Sequence, residues 1–236
     1  MVSRIEIGYR ERLRCLLGEL GIAQPEREAE ALLSGARRRA AEEGVPVEEA
    51  LARAYEGLRA RVRRLLAVES PTGAPRLLCD ESLGGLARWL RAAGCDTLSV
   101  RGVKGDALLR AALAEARSLL TTDGHLLERR LVHEGRVRVV WVPSRMPVLR
   151  QLTLVMGDLA LTPLTPRCMS CGAELAPVEK QEVRERIPPK TALWKDDYFL
   201  CRGCGKLLWQ GTHWSRIEKG LAEASRGLEG PRANNE

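Results

Sequence analysis

The chain has 236 residues, 44% of them hydrophobic, which is enough for one large domain or two to three smaller ones with buried cores. Its net charge of +7 and pI near 9.3 favour anionic partners such as nucleic acid, although a basic protein without such a role has the same charge. No apolar run approaches the roughly 20 residues of a membrane span, and the charged N-terminal residues exclude a signal peptide. We therefore expect a cytoplasmic protein with reduced thiols and no membrane contact.

Residues 1–69 have the pattern of an all-helical module. Apolar positions recur three and four residues apart in YRERLRCLLGELG, and the segments that begin at Pro25 and Pro46 repeat this periodicity. Their arginine runs indicate either a solvated helix face or a basic patch. Residues 70–75, which are rich in Pro and Gly, are predicted to be a linker.

Predicted strands and helices alternate along residues 76–160. The strands are RLLC, DTLSV, SLLTT and VRVVWV, and a helical pattern follows each of them. This alternation predicts an α/β domain whose parallel sheet is covered by helices on both faces. Ligands of such sheets bind beyond the carboxyl ends of the strands, at the point where the strand order reverses.

Acidic residues follow three of these strands. Asp80 directly follows the first strand, Asp123 follows the third, and Asp106 lies in the loop beyond the second. A strand order of 2-1-3-4 would gather all three carboxylates at one edge, where Mg²⁺ or Mn²⁺ could offset their repulsion and promote phosphodiester hydrolysis. Asp106 and Asp123 are also suited to be helix N-caps. Thr121 and Thr122 either orient a water or phosphate or only favour the strand.

Two CxxC pairs predict a zinc ribbon over residues 161–220. Cys168 and Cys171 form the first pair, and Cys201 and Cys204 form the second; each pair is followed by glycine. Four thiolates make a closed tetrahedral zinc site, which leaves no position for substrate and is therefore structural. A redox disulfide is the alternative.

The segment after the second cysteine pair combines aromatic and basic side chains. Its candidate substrate contacts are Lys206, Trp209, His213, Trp214 and Arg216. Aromatic rings can stack on bases while cations hold phosphates, but the two indoles are equally suited to pack against a small ribbon. Residues 221–236 are predicted to be a disordered tail.

Several segments together resemble the Mut7-C ribonuclease family, a compact PIN-type nuclease fold followed by a zinc ribbon. They are LLCDESLGGLARWLRAAGCD, GDALLRAALAEARSLLTTDGHLL, RCMSCGAEL, IPP and FLCRGCGKLLWQGTHW, within residues 76–219. The resemblance implies a ribonuclease that depends on Mg²⁺ or Mn²⁺. The residues of its PIN site would be Asp80, Asp106 and Asp123, with Thr121 or Thr122 in support. The candidates for a fourth acid are Glu81, Asp96 and Glu115, of which Asp96 begins a strand and is expected at the opposite edge.

The N-terminal helices depart from this family pattern, because bacterial members often begin with a ubiquitin-like segment. The stretch YRERLRCLLGELGIAQPEREAEALL is similar to the helical leader of release-factor glutamine methyltransferases. This similarity implies a module that docks on a protein, a ribosome or RNA. The competing hypothesis for the whole chain is a non-catalytic RNA- or ribosome-binding adaptor that uses the ribbon and the helices.

Overall fold

Three helices form the N-terminal part of the computed structural model, which describes residues 4–66 and 73–229. They are α1 (Arg4–Glu19), α2 (Pro25–Glu43) and α3 (Val47–Leu66). Pro25 occupies the first turn of α2, and Gly44 ends that helix in the left-handed conformation that glycine favours. The predicted helical segment is therefore confirmed over residues 4–66, whereas half of the predicted linker, residues 70–72, lies outside the described residues.

A parallel sheet forms the α/β part of the chain. Its strands in the described residues are β1 (Arg76–Cys79), β2 (Asp96–Ser99), β3 (Ser118–Thr121) and β4 (Val139–Trp141). Their order is β2-β1-β3-β4 and all pairs are parallel, as predicted. The associated helices are α4 (Gly84–Ala92), α5 (Asp106–Ala114), α6 (Arg130–His133) and α7 (Val148–Asp158). The carboxyl ends of β1 and β3 are therefore adjacent.

Helices cover both faces of the sheet, which confirms the predicted fold class. Alternate strand residues point to opposite faces. Leu77 and Leu120 lie in one apolar cluster, whereas Leu78 and Leu119 lie in another with residues of α5. The first cluster also includes buried side chains of α1–α3, so the N-terminal helices and the sheet share one core. Its members include Tyr9, Leu13, Leu33, Leu51, Trp141, Leu152 and Val155.

The segment after β3 differs from the single helix that its sequence predicts. A 3-10 turn covers Gly124–Glu128, Arg129 is extended, and α6 begins at Arg130. Two consecutive leucines explain the break, because Leu126 packs into the cluster with α5 and Leu127 into the cluster with α1. Neighbouring side chains that serve opposite faces of the sheet do not suit one amphipathic helix.

The C-terminal part is a small antiparallel sheet followed by a long helix. Its elements are β5 (Leu175–Val178), α8 (Pro189–Ala192), β6 (Tyr198–Cys201), β7 (Leu207–Trp209) and α9 (Thr212–Glu229). Helix α9 continues past the predicted start of the tail, because Leu221 and Ala224 pack against the larger core. Residues 221–229 are therefore helical, and residues 230–236 lie outside the described part. Among the described helices, none combines the length and the apolar character that crossing a membrane requires.

Candidate active site and metal centre

Asp80 is the buried carboxylate of the candidate active site and lies directly after β1, only 7% exposed. Its Oδ1 accepts hydrogen bonds from the backbone N–H of Ser82 at 3.0 Å and from the Ser82 hydroxyl at 2.6 Å. Its Oδ2 accepts from the Thr121 hydroxyl at 2.8 Å and from the Thr122 N–H at 2.7 Å. A carboxylate accommodates about four such bonds. Asp80 is therefore held in one orientation by groups from the ends of β1 and β3.

Asp123 and Asp106 are exposed acids at the ends of neighbouring elements. The Oδ1 atom of Asp123 accepts the His125 N–H at 3.1 Å, so this carboxylate caps the 3-10 turn, as its cap interpretation predicted. Asp106 is the first residue of α5 and follows the N-cap position, which Gly105 occupies, so the N-cap interpretation of Asp106 is wrong. Its Oδ1 forms an ion pair with the Arg129 Nε atom at 3.2 Å.

The three aspartates suit Mg²⁺ or Mn²⁺ by the type of their donor atoms, because these hard cations prefer oxygen ligands. Their carboxylates do not, however, form a group of three within 4.8 Å of one another; among the described residues only four cysteines do so. Cation binding at this edge would require Asp106 to leave Arg129 and Asp80 to exchange some of its present donors. The donor chemistry therefore fits, and the carboxylates would have to approach one another.

The candidates for a fourth acid lie at different edges of the sheet. Glu81 follows Asp80, and its Oε2 accepts the backbone N–H of Gly102 at 3.1 Å, in the loop after β2. Asp96 begins β2, at the edge opposite Asp80 as predicted, and its carboxylate pairs with Arg117 at 3.1 Å. Glu115 lies beyond α5 and approaches the same arginine at 3.7 Å. Of these candidates, Glu81 shares the edge of the sheet with Asp80.

Two residues that the sequence interpretation did not include complete this network. The Ser82 hydroxyl lies 2.9 Å from the Thr122 hydroxyl and so joins the end of β1 to the end of β3. Trp141 donates its indole N–H to the Thr122 carbonyl at 3.0 Å. A serine two residues after an aspartate is a recognisable local turn signal. The role of Trp141 has no such signal, because it depends on strand pairing.

Four cysteines form a candidate metal site, and all their Sγ atoms lie within 4.8 Å of one another. The Sγ atoms of Cys171 and Cys201 are 3.3 Å apart, and those of Cys168 and Cys204 are 3.7 Å apart. A zinc ion with bonds of about 2.3 Å separates its sulfur ligands by about 3.8 Å. A disulfide would require about 2.05 Å. The cluster can therefore hold a metal such as zinc.

The surroundings of the cysteine cluster favour one thiolate and disfavour a second. Burial raises the pKa of Cys201, but backbone N–H groups of Cys204 and Gly203, 3.4 Å from its Sγ, and the neighbouring thiols lower this pKa to about 6. At Cys171, burial and hydrogen bonds to the other cysteines raise the pKa to about 12. A divalent cation favours ionisation of every thiol that binds it.

Arg91 fixes the first cysteine pair to the sheet domain. This buried guanidinium donates from Nε to the carbonyl of Thr97 at 2.9 Å and from Nη1 to the carbonyls of Met169 and Ser170 at 3.1 and 3.0 Å. Both carbonyls belong to the turn between Cys168 and Cys171. Arg91, a residue of α4, therefore links the turn of the first cysteine pair to β2.

Replacing Arg91 by methionine is expected to lower the free energy of unfolding by about 2–3 kcal/mol. The substitution removes the donor to the carbonyl of the buried Thr97 and to two carbonyls of the partly buried cysteine turn. A buried group left without its partner costs about 1–3 kcal/mol, and the partly buried carbonyls add less. Urea unfolding of the zinc-loaded protein would measure the loss. Arg88→Met, an exposed change in the same helix, is the control, and an equal loss in both variants would contradict the anchoring role of Arg91.

Trp209 and Trp214 line one cavity of ≈ 300 Å³ between the ribbon and α9, together with Phe199 and Met169. The Trp209 ring also lies 6.4 Å from that of Tyr198, so it contributes to the small ribbon core as well. Trp209 therefore contributes to packing, and the stacking of either indole on bases stays a prediction.

The basic candidates surround the ribbon but differ in their contacts. Lys206 donates from Nζ to the Ser170 hydroxyl at 2.8 Å, beside the cysteine cluster. Arg216 is exposed on α9. The side chain of His213 lies outside the part of the chain that the structure describes. Within the described residues, Lys206 and Arg216 therefore form no ion pair with an acid, and they do not line the cavity of the two indoles.

Comparison with known proteins identifies a family. The model of a family described as Mut7-C RNAse domain matches residues 75–221, which is more than half of the chain. The matched region includes the parallel sheet, the three aspartates and the four cysteines, and it leaves out α1–α3. No curated protein and no solved structure was found to match the chain.

Proposed function

Because the chain belongs to the Mut7-C RNAse domain family, we propose that it is a metal-dependent ribonuclease that hydrolyses RNA phosphodiesters. The observation that carries this proposal is the buried Asp80 carboxylate at the central strand end, bonded across to Thr121 and Thr122. Asp123 directly follows Thr122, at the carboxyl end of the neighbouring strand β3. Acids at adjacent carboxyl ends of a parallel sheet occupy the usual ligand position of this architecture.

In the proposed site, Asp80, Asp106 and Asp123 would hold Mg²⁺ or Mn²⁺, and Glu81 is our choice for the fourth acid. The cation, when bound, lowers the pKa of water and neutralises negative charge on the phosphate. The protein orients Asp80 through Ser82 and Thr122. Arg129, which pairs with Asp106 here, becomes available for a phosphate oxygen once that carboxylate turns to the cation.

Substrate RNA would extend from the acids towards the ribbon. The contacts that we propose there are Lys206, Trp209, His213, Trp214 and Arg216. Indole rings can stack on bases of any sequence, and the cations can hold the backbone. The four cysteines would hold a structural zinc, and their need for reduced thiols favours the cytoplasm. We also propose residues 76–160 and 161–220 as the nuclease and ribbon domains.

The test is cleavage of labelled single-stranded and structured RNA by the purified chain, with Mn²⁺ or with EDTA. We expect cleavage that EDTA stops and added Mn²⁺ restores, with zinc content measured in parallel to separate the two metals. Asp80→Asn and Asp123→Asn should each lower the rate at least about 100-fold, which corresponds to about 2.7 kcal/mol of transition-state stabilisation.

Glu115→Gln is the matched control, because Glu115 is an exposed acid at the opposite edge of the sheet. It should cleave RNA at the wild-type rate. Cleavage that persists in EDTA, or equal rates in all acid variants, would reject the metal-dependent mechanism.

The adaptor function has one structural observation in its favour. Asp80 already accepts four close hydrogen bonds, and Asp106 is paired with Arg129, so neither acid needs a cation to be satisfied. A non-catalytic RNA- or ribosome-binding protein would bind RNA equally well after Asp80→Asn. It would show no turnover with either metal. The same set of variants therefore separates the two functions.

A further inference from the structure

Trp141 connects the N-terminal helices to the candidate active site. It is the last residue of β4, is 2% exposed, and lies opposite Thr121 in the strand register. Its indole N–H donates to the Thr122 carbonyl at 3.0 Å. An indole N–H can only donate, and a buried one requires an acceptor. This bond fixes the peptide group that joins Thr122 to Asp123.

The peptide group that Trp141 holds lies between the two acids of the proposed site. On its N-terminal side, Thr122 donates its own N–H to Asp80 at 2.7 Å. On its C-terminal side is Asp123, whose N–H donates to the Thr121 hydroxyl at 3.1 Å. Rotation of this peptide would therefore break the bond from the Asp123 N–H to Thr121 and shift the backbone of Asp123, directly beside the residue that donates to Asp80.

Helix α1 lies directly on the indole ring of Trp141. The Tyr9 ring meets the indole edge-on, with centroids 5.2 Å apart and planes at 77°. A methyl group added at Gly8 would overlap the indole atoms Cε2, Cδ2 and Cζ2. Glycine inside a helix ordinarily costs stability relative to alanine. Its presence here has a clear reason, because only glycine lets the α1 backbone approach the ring this closely.

A buried ion-pair network holds α1 in this position. Arg12 lies one turn after Gly8 and pairs with Asp158 at the end of α7. Asp158 also accepts the Tyr55 hydroxyl of α3 at 2.7 Å. The contact between α1 and Trp141 is therefore fixed from two sides of the core.

We propose that the N-terminal helices position the catalytic acids, and that Trp141 is the positioning residue through which they act. The catalytic effect of Trp141 rests on the proposed ribonuclease function, whereas the contacts of Trp141 with Thr122 and α1 do not depend on it. It assigns α1–α3 a role inside the nuclease, which differs from a module that only docks on a partner. Residues outside the matched family region thus support the site within it.

The test compares Trp141→Phe with the wild-type full chain. Phenylalanine keeps an aromatic ring under Gly8 and removes the hydrogen bond to Thr122. We expect amide hydrogen exchange at Thr122 and Asp123, followed by NMR, to accelerate at least about fivefold, because a buried hydrogen bond is lost. The kcat for RNA should fall by at least a similar factor, and the KM should stay within about twofold of wild type.

Trp89→Phe is the control, since Trp89 packs in the same core near Gly220 of α9 and does not contact the acids. It should leave exchange at Thr122 unchanged. Gly8→Ala is the second variant, and it should accelerate the same two amides by displacing the indole.

The outcomes separate this proposal from the proposed function. If wild type does not cleave RNA, the exchange measurements still decide whether Trp141 orders the peptide between Thr122 and Asp123. Wild-type exchange at these amides in Trp141→Phe, or acceleration no greater than in Trp89→Phe, would overturn the positioning role. Faster exchange with unchanged kcat would overturn it as well, because the ordering would then serve no catalytic purpose.

Discussion

Replacing Cys201 by serine is expected to abolish zinc binding and to unfold the ribbon. The described ribbon core is small, with Val183, Ile187 and Tyr198 as its buried apolar cluster. Such a core cannot stabilise a domain without further help, and structural zinc contributes about 10–16 kcal/mol of apparent binding free energy in small zinc domains. Loss of one thiolate opens the closed site. Zinc content and the rate of proteolysis within residues 161–210 would measure both effects.

Cys15→Ser is the matched control, because Cys15 is an exposed cysteine outside the ribbon. It should retain one zinc per chain and the proteolysis pattern of wild type. Full zinc content and full protection in Cys201→Ser would contradict the prediction. A thiol reductant distinguishes zinc from a disulfide. Wild-type protein that keeps its zinc and its resistance to proteolysis in the reductant does not depend on a disulfide.

Loss of zinc should destabilise the parallel sheet without unfolding it. Arg91 connects the turn of the first cysteine pair to the Thr97 carbonyl, so an unfolded ribbon would remove two acceptors of this buried guanidinium. Between residue 161 and α9, however, the larger core includes Leu161 alone, and the strands of the parallel sheet pair among themselves. The nuclease part should therefore remain folded, with a lower unfolding midpoint.

Local sequence patterns were sufficient for the sheet and for the cysteine cluster. Four apolar strands separated by helical patterns predicted the parallel sheet, and the strand order placed Asp80 beside the end of β3 as expected. The spacing of the two CxxC pairs likewise predicted the four-cysteine cluster. Each of these features depends on residues that are near in sequence or on one general rule of sheet topology.

Features that depend on distant side chains could not be predicted in this way. Asp158 accepts from Arg12, 146 positions away, and no periodicity links these two residues. The pairing of Asp106 with Arg129 similarly joins the first residue of α5 to the residue before α6, and it competes with the expected cation. The close approach of Gly8 to Trp141 reflects the packing of whole elements. Sequence alone therefore located the candidate acids but did not indicate what orients them.

Replacing Asp158 by alanine is expected to lower the free energy of unfolding by about 3–5 kcal/mol. This carboxylate is almost fully buried and pairs with Arg12 and Arg59, two guanidiniums that are also buried. Removing one partner of a buried ion pair leaves uncompensated charge in the core. The Nη1 atom of Arg12 already lacks a hydrogen-bond partner, and burial lowers the pKa of this residue. Urea unfolding would measure the loss.

Two comparisons make this prediction specific. Asp196→Ala breaks an exposed pair with Lys180 and should cost at most about 1 kcal/mol. Combining Asp158→Leu with Arg12→Met should recover part of the loss, since apolar side chains can replace buried charges. Because Asp158 joins α1 and α3 to α7, the helical and nuclease segments should unfold in one transition. A separate transition of α1–α3, or equal losses from Asp158→Ala and Asp196→Ala, would show that these helices are not part of the nuclease core.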